Sequence, residues 1–298
     1  MSIDYSGKMP DLVFKYDEKH VPGNDLPDPQ IDPVIPGARI PLKKVGIGPV
    51  DLPVILLRRD GESQVLQAEA SLYCSLDDVN AKGLNLSRLY LLMHEKIKDK
   101  LSINGIKEAL TELAEKQGSK TAYCKLRFKY PWTQKSLRSN LEGHIAYNTI
   151  LDCKYKKTTD GTSPYSFYLT IEYVYSSTCP CSFELAYDAR TRITVGFDPS
   201  DDKIVWIEDL VELCREHIPT EVQIVVKRKD EQAFAELNGS NLLFSEDVAR
   251  ILHQALDGWY DKKLISDFSV SVSHEESLHP WNAIAVTSKF ADNGTHLQ

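Results

Sequence analysis

The chain has 298 residues, with 35 Lys plus Arg against 43 Asp plus Glu, a formal net charge of −8; 42% of its residues are hydrophobic and 26% charged. That is a globular composition with enough apolar material for a sizeable core, which excludes wholesale disorder, and it contains no run of about 18 apolar residues to span a membrane. Net acidity argues against a nucleic-acid partner but leaves room for a phosphate ligand held in a local basic pocket.

In chain order, the first 40 or so residues read as an extended arm, because Pro10, Pro22, Pro27, Pro29, Pro33, Pro36 and Pro41 interrupt both helix and sheet. Residues 1–19 lack the apolar segment of a secretory signal, so the six cysteines are expected as free thiols in a reducing cytoplasm. Residues 64–76 alternate, with Ala68, Ala70, Leu72, Cys74 and Leu76 on one side and Gln67, Glu69, Ser71, Tyr73 and Ser75 on the other, the pattern of a half-buried strand. Leu86, Leu89, Met93 and Ile97 fall at helical spacing, and 103–113 reads as a second helix. Strands are expected over 121–130, 145–156, 166–175 and 191–197, with a hairpin turn at Asp160-Gly161. Helices follow over 206–215 and 245–256, the latter with Ser245 as its cap, and strands over 263–273 and 283–289 close the chain.

Strands, two helices, strands, and the same again suggest a two-fold pseudo-repeat of β-β-α-α-β-β type. The expected organisation is an arm over 1–42 and modules over 43–160 and 161–298, an α+β fold with antiparallel sheets. Open sheet edges in such a fold are commonly removed by closure into a barrel between subunits, so an oligomer is expected.

Five groups of residues could carry chemistry. Cys179-Pro180-Cys181-Ser182 follows a strand; a thiolate there is a metal ligand or nucleophile, and the pair is as readily two core cysteines. Cys-x-Cys without a second pair cannot make a structural zinc knuckle, so a metal here needs distant ligands. His279, with Glu276 three residues before it, could converge on an ion if the backbone turns, or be a solvated loop residue; Glu275 competes for the carboxylate role. Lys227-Arg228-Lys229-Asp230-Glu231 follows the apolar run 222–226, so its first residues emerge at the rim of the core, where Lys and Arg suit phosphate oxygens; a solvated loop is the simpler account. Glu246 and Asp247 open a helix and complement its dipole, and Arg88, in the first turns of another helix, is a second phosphate candidate.

These motifs, in this order, resemble the type IB GTP cyclohydrolases, a prokaryotic family of folate-type pterin synthesis. The resemblance rests on Lys44-Val45-Gly46-Ile47, the strand 66–76, Lys82-Gly83 with Ser87-Arg88-Leu89-Tyr90, the run from Tyr175 to Ser182, the run from Lys227 to Ala235, Asn238-Gly239, the run from Phe244 to Arg250, and Glu276-Ser277-Leu278-His279. It implies a tunnelling fold with two β-β-α-α-β-β modules per subunit, a homotetramer with active sites between subunits, and a divalent metal, whether zinc, manganese or iron. It implies Cys179, Glu231, Glu276 and His279 at the metal and Glu246 on the purine edge; Lys227, Arg228 and Arg88 are the candidates for the triphosphate, and Cys179 and Glu231 are the acid–base groups that remain for catalysis where family histidines are missing. The implied enzyme is a GTP cyclohydrolase I, a cyclic amidine hydrolase that converts GTP and water to 7,8-dihydroneopterin triphosphate and formate. The chain departs from the family at three places. Asn85 and Trp281 stand where members have His, and the connection after Ser182 lacks a His-bearing stretch. Because His moves protons near neutrality and Asn and Trp do not, the departures imply slow turnover, or a diverged paralogue that acts on another purine or only binds nucleotide.

Overall fold

The computed structural model describes residues 19, 35, 37–99, 101–159, 162–181, 183, 186–198, 204–275 and 278–290. Most of the arm and the Asp160-Gly161 turn lie outside them. Eight strands form one antiparallel sheet in which each strand pairs only with its neighbours in sequence: β1 (Leu42–Leu57), β2 (Ser63–Leu76), β3 (Thr121–Lys135), β4 (Glu142–Lys156), β5 (Tyr165–Thr178), β6 (Ala186–Phe197), β7 (Asp267–Glu275) and β8 (Ala283–Ser288). Helices α1 (Leu86–Lys96) and α2 (Ile103–Gln117) connect β2 to β3; α3 (Ile207–His217), α4 (Arg228–Gly239) and α5 (Ser245–Asp261) connect β6 to β7.

The alternation read from the sequence sets the faces. Ala68, Ala70, Leu72, Cys74 and Leu76 are all buried. The register Ala68↔Phe128, Leu126↔Leu151, Leu151↔Leu169, Leu169↔Val195 and Ile193↔Val270 carries that buried face from β2 to β7. Helices α1, α2, α3 and α5 pack on this face and the core fills the space between them, while α4 lies near β5 and adds no residue to the core. Helix α2 runs past the expected 113 to Gln117 and stops at Gly118, whose φ of +63° is a left-handed conformation that glycine adopts without a steric cost. Strand β3 runs past 130 because its pairing to β4 continues to Lys135↔Glu142, while its pairing to β2 ends at Phe128. Pro131 therefore sits where only β4 remains as a neighbour, the position at which a residue without an N–H is tolerated.

The expectation of sheets closed into a barrel is wrong: the two halves share a single open sheet, joined by direct β4–β5 pairing from Asn148↔Glu172 to Tyr155↔Tyr165, and β1 and β8 are its two edges. The second half is also not a β-β-α-α-β-β module, since it has three helices. The charge run after 226 does not stay a loop but opens α4, where the side chain of Asp230 accepts from the Lys227 amide at 2.8 Å. Helix α5 begins at Ser245 as expected, but its reciprocal cap is Asp247, which accepts from the Phe244 amide at 3.1 Å. Strand β7 starts later than the expected 263, because Lys263 and Leu264 still bond back to α5, whereas β8 starts at Ala283 as expected.

All six cysteines are unpaired; Cys74, Cys124, Cys153 and Cys214 are buried, Cys179 is half-buried and Cys181 exposed. Burial pushes the Cys124 thiol up to about 12 and raises those of Cys153, Cys214 and Cys74. A thiol-reactive chromophore at pH 8 should therefore count two cysteines in the native protein and six in denaturant. Four or more fast-reacting thiols in the native state would contradict this packing.

Candidate functional site

Strand register places the tip of the β3–β4 hairpin, the C-terminal ends of β5 and β7 and the N-terminal ends of β6 and β8 at one end of the sheet. Cys179 is the first residue after β5, and its Sγ accepts from the Cys181 amide at 3.4 Å. The connection from α4 to α5 is tied to the same strand end. Leu243 N–H donates to the Thr178 carbonyl at 3.3 Å, and Ser177 Oγ donates to the Leu243 carbonyl at 2.9 Å. These bonds set the start of α5, which carries Glu246, at the strand end that Cys179 follows.

Glu246 is exposed in the first turn of α5, and Ser245 Oγ donates to its Oε2 at 3.0 Å. Its own backbone amide and that hydroxyl lower its pKa, Arg250 and His274 adding to the effect and outweighing desolvation, so it is a carboxylate at neutral pH. It stands at one end of a cleft of about 490 Å³ between α5 and β8, lined also by Arg250, His253, Gln254 and Asp257. An apolar cavity of about 350 Å³ over the seam of the two halves, lined by Phe128, Leu151, Leu169 and Phe197 among others, contains none of the residues expected to act.

Lys227 and Arg228 are exposed where α4 begins, and Glu231 is exposed in its first turn. His279 lies in the β7–β8 connection, exposed, with its ring stacked on that of Trp281 at 4.7 Å between centroids and 7° between planes. Trp281 thus occupies one ring face of the histidine. Glu276 lies outside the described residues. Among the described residues no three His, Cys, Asp or Glu side chains stand close enough to hold a metal ion, so Cys179, Glu231 and His279 do not by themselves assemble a metal centre within one chain.

Arg88 is placed elsewhere. It follows β2, whose C-terminal end the register sets at the opposite end of the sheet, and it sits in the first turn of α1 with Asn85 as the preceding cap residue. A single chain does not bring Arg88 to Glu246.

His274 was missed by sequence reasoning. Its Nε2 lies 2.9 Å from the hydroxyl of Tyr175, both side chains are buried, and their rings meet edge to face. Burial pushes the imidazole down to about 4 against the opposing pull of Glu246. The signal was present: Phe268, Val270, Val272 and His274 alternate on one side of β7, so period two puts this histidine on the core face.

The family described as "Type I GTP cyclohydrolase folE2" matches residues 26–285. The chain belongs to the FolE2 family of GTP cyclohydrolases. GTP cyclohydrolase FolE2 of Dinoroseobacter shibae is 37% identical over 283 residues, covering 89% of this chain and 75% of the relative. That of Ruegeria pomeroyi is 36% identical over 287 residues, covering 91% and 76%, and one from Cereibacter sphaeroides is 36% identical over 315 residues, covering 96% and 85%. Among solved structures, urate oxidase from Bacillus subtilis 168 matches 82% of this chain and 97% of its own with a TM-score of 0.50 at 7% identity, a likeness of fold alone. Membership of the FolE2 family makes this a GTP cyclohydrolase-type enzyme.

Tyr175→Phe removes the hydroxyl that pairs with buried His274 and should lower stability by about 1–2 kcal/mol, read as a shift of the urea midpoint at unchanged slope. An unchanged midpoint would show that His274 is satisfied by another group.

Proposed function

We propose that this chain hydrolyses GTP to 7,8-dihydroneopterin triphosphate and formate, the entry reaction of folate-type pterin synthesis, at the end of the sheet where Cys179, Glu246 and the start of α4 lie. The observation that carries the reading is Glu246: an ionised carboxylate in the first turn of α5, at the end of a cleft and tied through residues 243–245 to the strand that delivers Cys179. One carboxylate accepts from both the ring N–H and the amino group of guanine, a donor pair that adenine lacks. Lys227 and Arg228 face solvent where α4 begins and supply cations for the triphosphate.

A divalent ion, with Cys179, Glu231, Glu276 and His279 around it, belongs to this proposal on the strength of the family resemblance. The described donors do not converge in one chain. Arg88 would reach the site from a second copy, consistent with a homotetramer. Unpaired thiols throughout suit a cytoplasmic location. The stacked Trp281 and the dispersed donors favour one second reading, a chain that binds GTP but turns it over slowly or not at all.

Glu246→Ala should weaken GTP binding by a factor of roughly 30 to 1,000, because the donors of guanine lose a charged partner. Glu246→Gln should harm GTP more than ATP. Calorimetric titration of each variant checks this, and unchanged GTP affinity in Glu246→Ala would reduce Glu246 to a helix-dipole residue. The wild type is expected to co-purify with a divalent metal, measured by elemental analysis, and Cys179→Ser to lose it while its circular dichroism is unchanged. Equal metal content in both would remove Cys179 from the site.

A further inference from the structure

Asp230 lies inside the exposed charge run at the start of α4, yet it is fully buried. Its carboxylate accepts from the backbone amides of Arg138 at 2.7 Å, Ser139 at 2.8 Å and Lys227 at 2.8 Å, and from the hydroxyl of Ser139. Three of the donors belong to the tip of the β3–β4 hairpin, in the first half of the chain; the fourth is the amide of the residue that opens α4.

Two further contacts bind the same pair of segments. A Cβ added to Gly143 would come within 2.9 Å of Val225 Cγ2 and 3.1 Å of Ile224 Cγ2, so only glycine allows the hairpin this close an approach. Gln134, buried near the end of β3, donates through Nε2 to the Val222 carbonyl at 2.8 Å and accepts on Oε1 from the Ile224 amide at 3.1 Å. The first half of the chain thus grips residues 222–230 at three places. Lys227, Arg228, Lys229 and Glu231 remain exposed around the buried Asp230.

Four donors on one buried carboxylate are more than a helix start requires, since the amide of Lys227 alone completes the reciprocal cap. We propose that Asp230 is a positioning residue for the phosphate subsite: by tying the hairpin tip to the first turn of α4, it fixes the backbone from which Lys227 and Arg228 reach the phosphate chain of a nucleoside triphosphate. The proposal rests on the reading of Lys227 and Arg228 given above. It accounts for an acidic residue within a basic run at a phosphate site, because the charge of Asp230 is turned inward and met by N–H and O–H donors.

The test compares the affinities of GTP and guanosine for the full chain in chelator, so that nothing turns over. Asp230→Asn keeps the shape but presents an amide nitrogen that cannot accept from Lys227 N–H or the Ser139 hydroxyl. GTP binding should weaken about 10- to 100-fold and guanosine binding by less than about twofold. Ser139→Ala removes one donor and should shift GTP in the same direction by about 2- to 5-fold, and it decides the matter if Asp230→Asn does not fold. Equal losses for GTP and guanosine would make Asp230 a merely structural residue, and unchanged GTP affinity in the folded variants would overturn the proposal. The Lys227→Ala/Arg228→Ala double variant separates the two readings. If it leaves GTP affinity unchanged, the phosphate assignment fails and the proposal with it. If it weakens GTP while Asp230→Asn and Ser139→Ala do not, the positioning role alone is wrong.

Discussion

The pairing of β4 with β5 is the constraint on which the rest of the molecule depends. It joins two halves, each with its own strands and helices, into one sheet, and its register carries a single buried face from β2 to β7. Strands have a period of two, so a slip of one residue at this junction would turn the apolar side of one half to solvent. The same register brings the β3–β4 hairpin of the first half level with the end of β5 in the second. The hairpin's grip on α4 and the placement of Cys179 and Glu246 both follow from that alignment.

The site is built by tying helix starts to strand ends. Helix α5 is fixed through Leu243 and Ser177, and α4 through Asp230 and the hairpin tip. Each tie uses backbone groups and short polar side chains, which leaves Glu246, Lys227 and Arg228 exposed to meet a ligand. A rigid scaffold with exposed charged groups at its rim is the arrangement that binding a polyanionic nucleotide requires. Arg88, at the far end of the same sheet, shows that one chain does not hold every residue the family resemblance assigns to the site.

Much of this was legible in the sequence, and what was missed has physical causes. The alternation of β2 and the helical spacing of α1 located those elements because each buries one apolar face. Helix α4 was not legible as a helix. Its buried positions are Asp230, Ala233 and Asn238, so it has almost no apolar stripe, and its charges read as a solvated loop. The role of Asp230 depends on donors some 90 residues away, which no local pattern reports. The barrel expected from open edges fails because the chain extends one sheet across both halves and leaves β1 and β8 as its edges. The family, by contrast, was readable from short motifs, because chemistry fixes residue type and order more tightly than packing does.

As a GTP cyclohydrolase, this chain opens the guanine ring of GTP and expels C8 as formate. Purified protein incubated with GTP and, in turn, zinc, manganese or ferrous ion should release formate and a product that becomes a fluorescent pterin on oxidation, one formate for each pterin. Formate without pterin would contradict the claimed product. GTP bound tightly with neither species formed under any of the metals would contradict catalysis and leave a nucleotide-binding protein on an enzyme's fold.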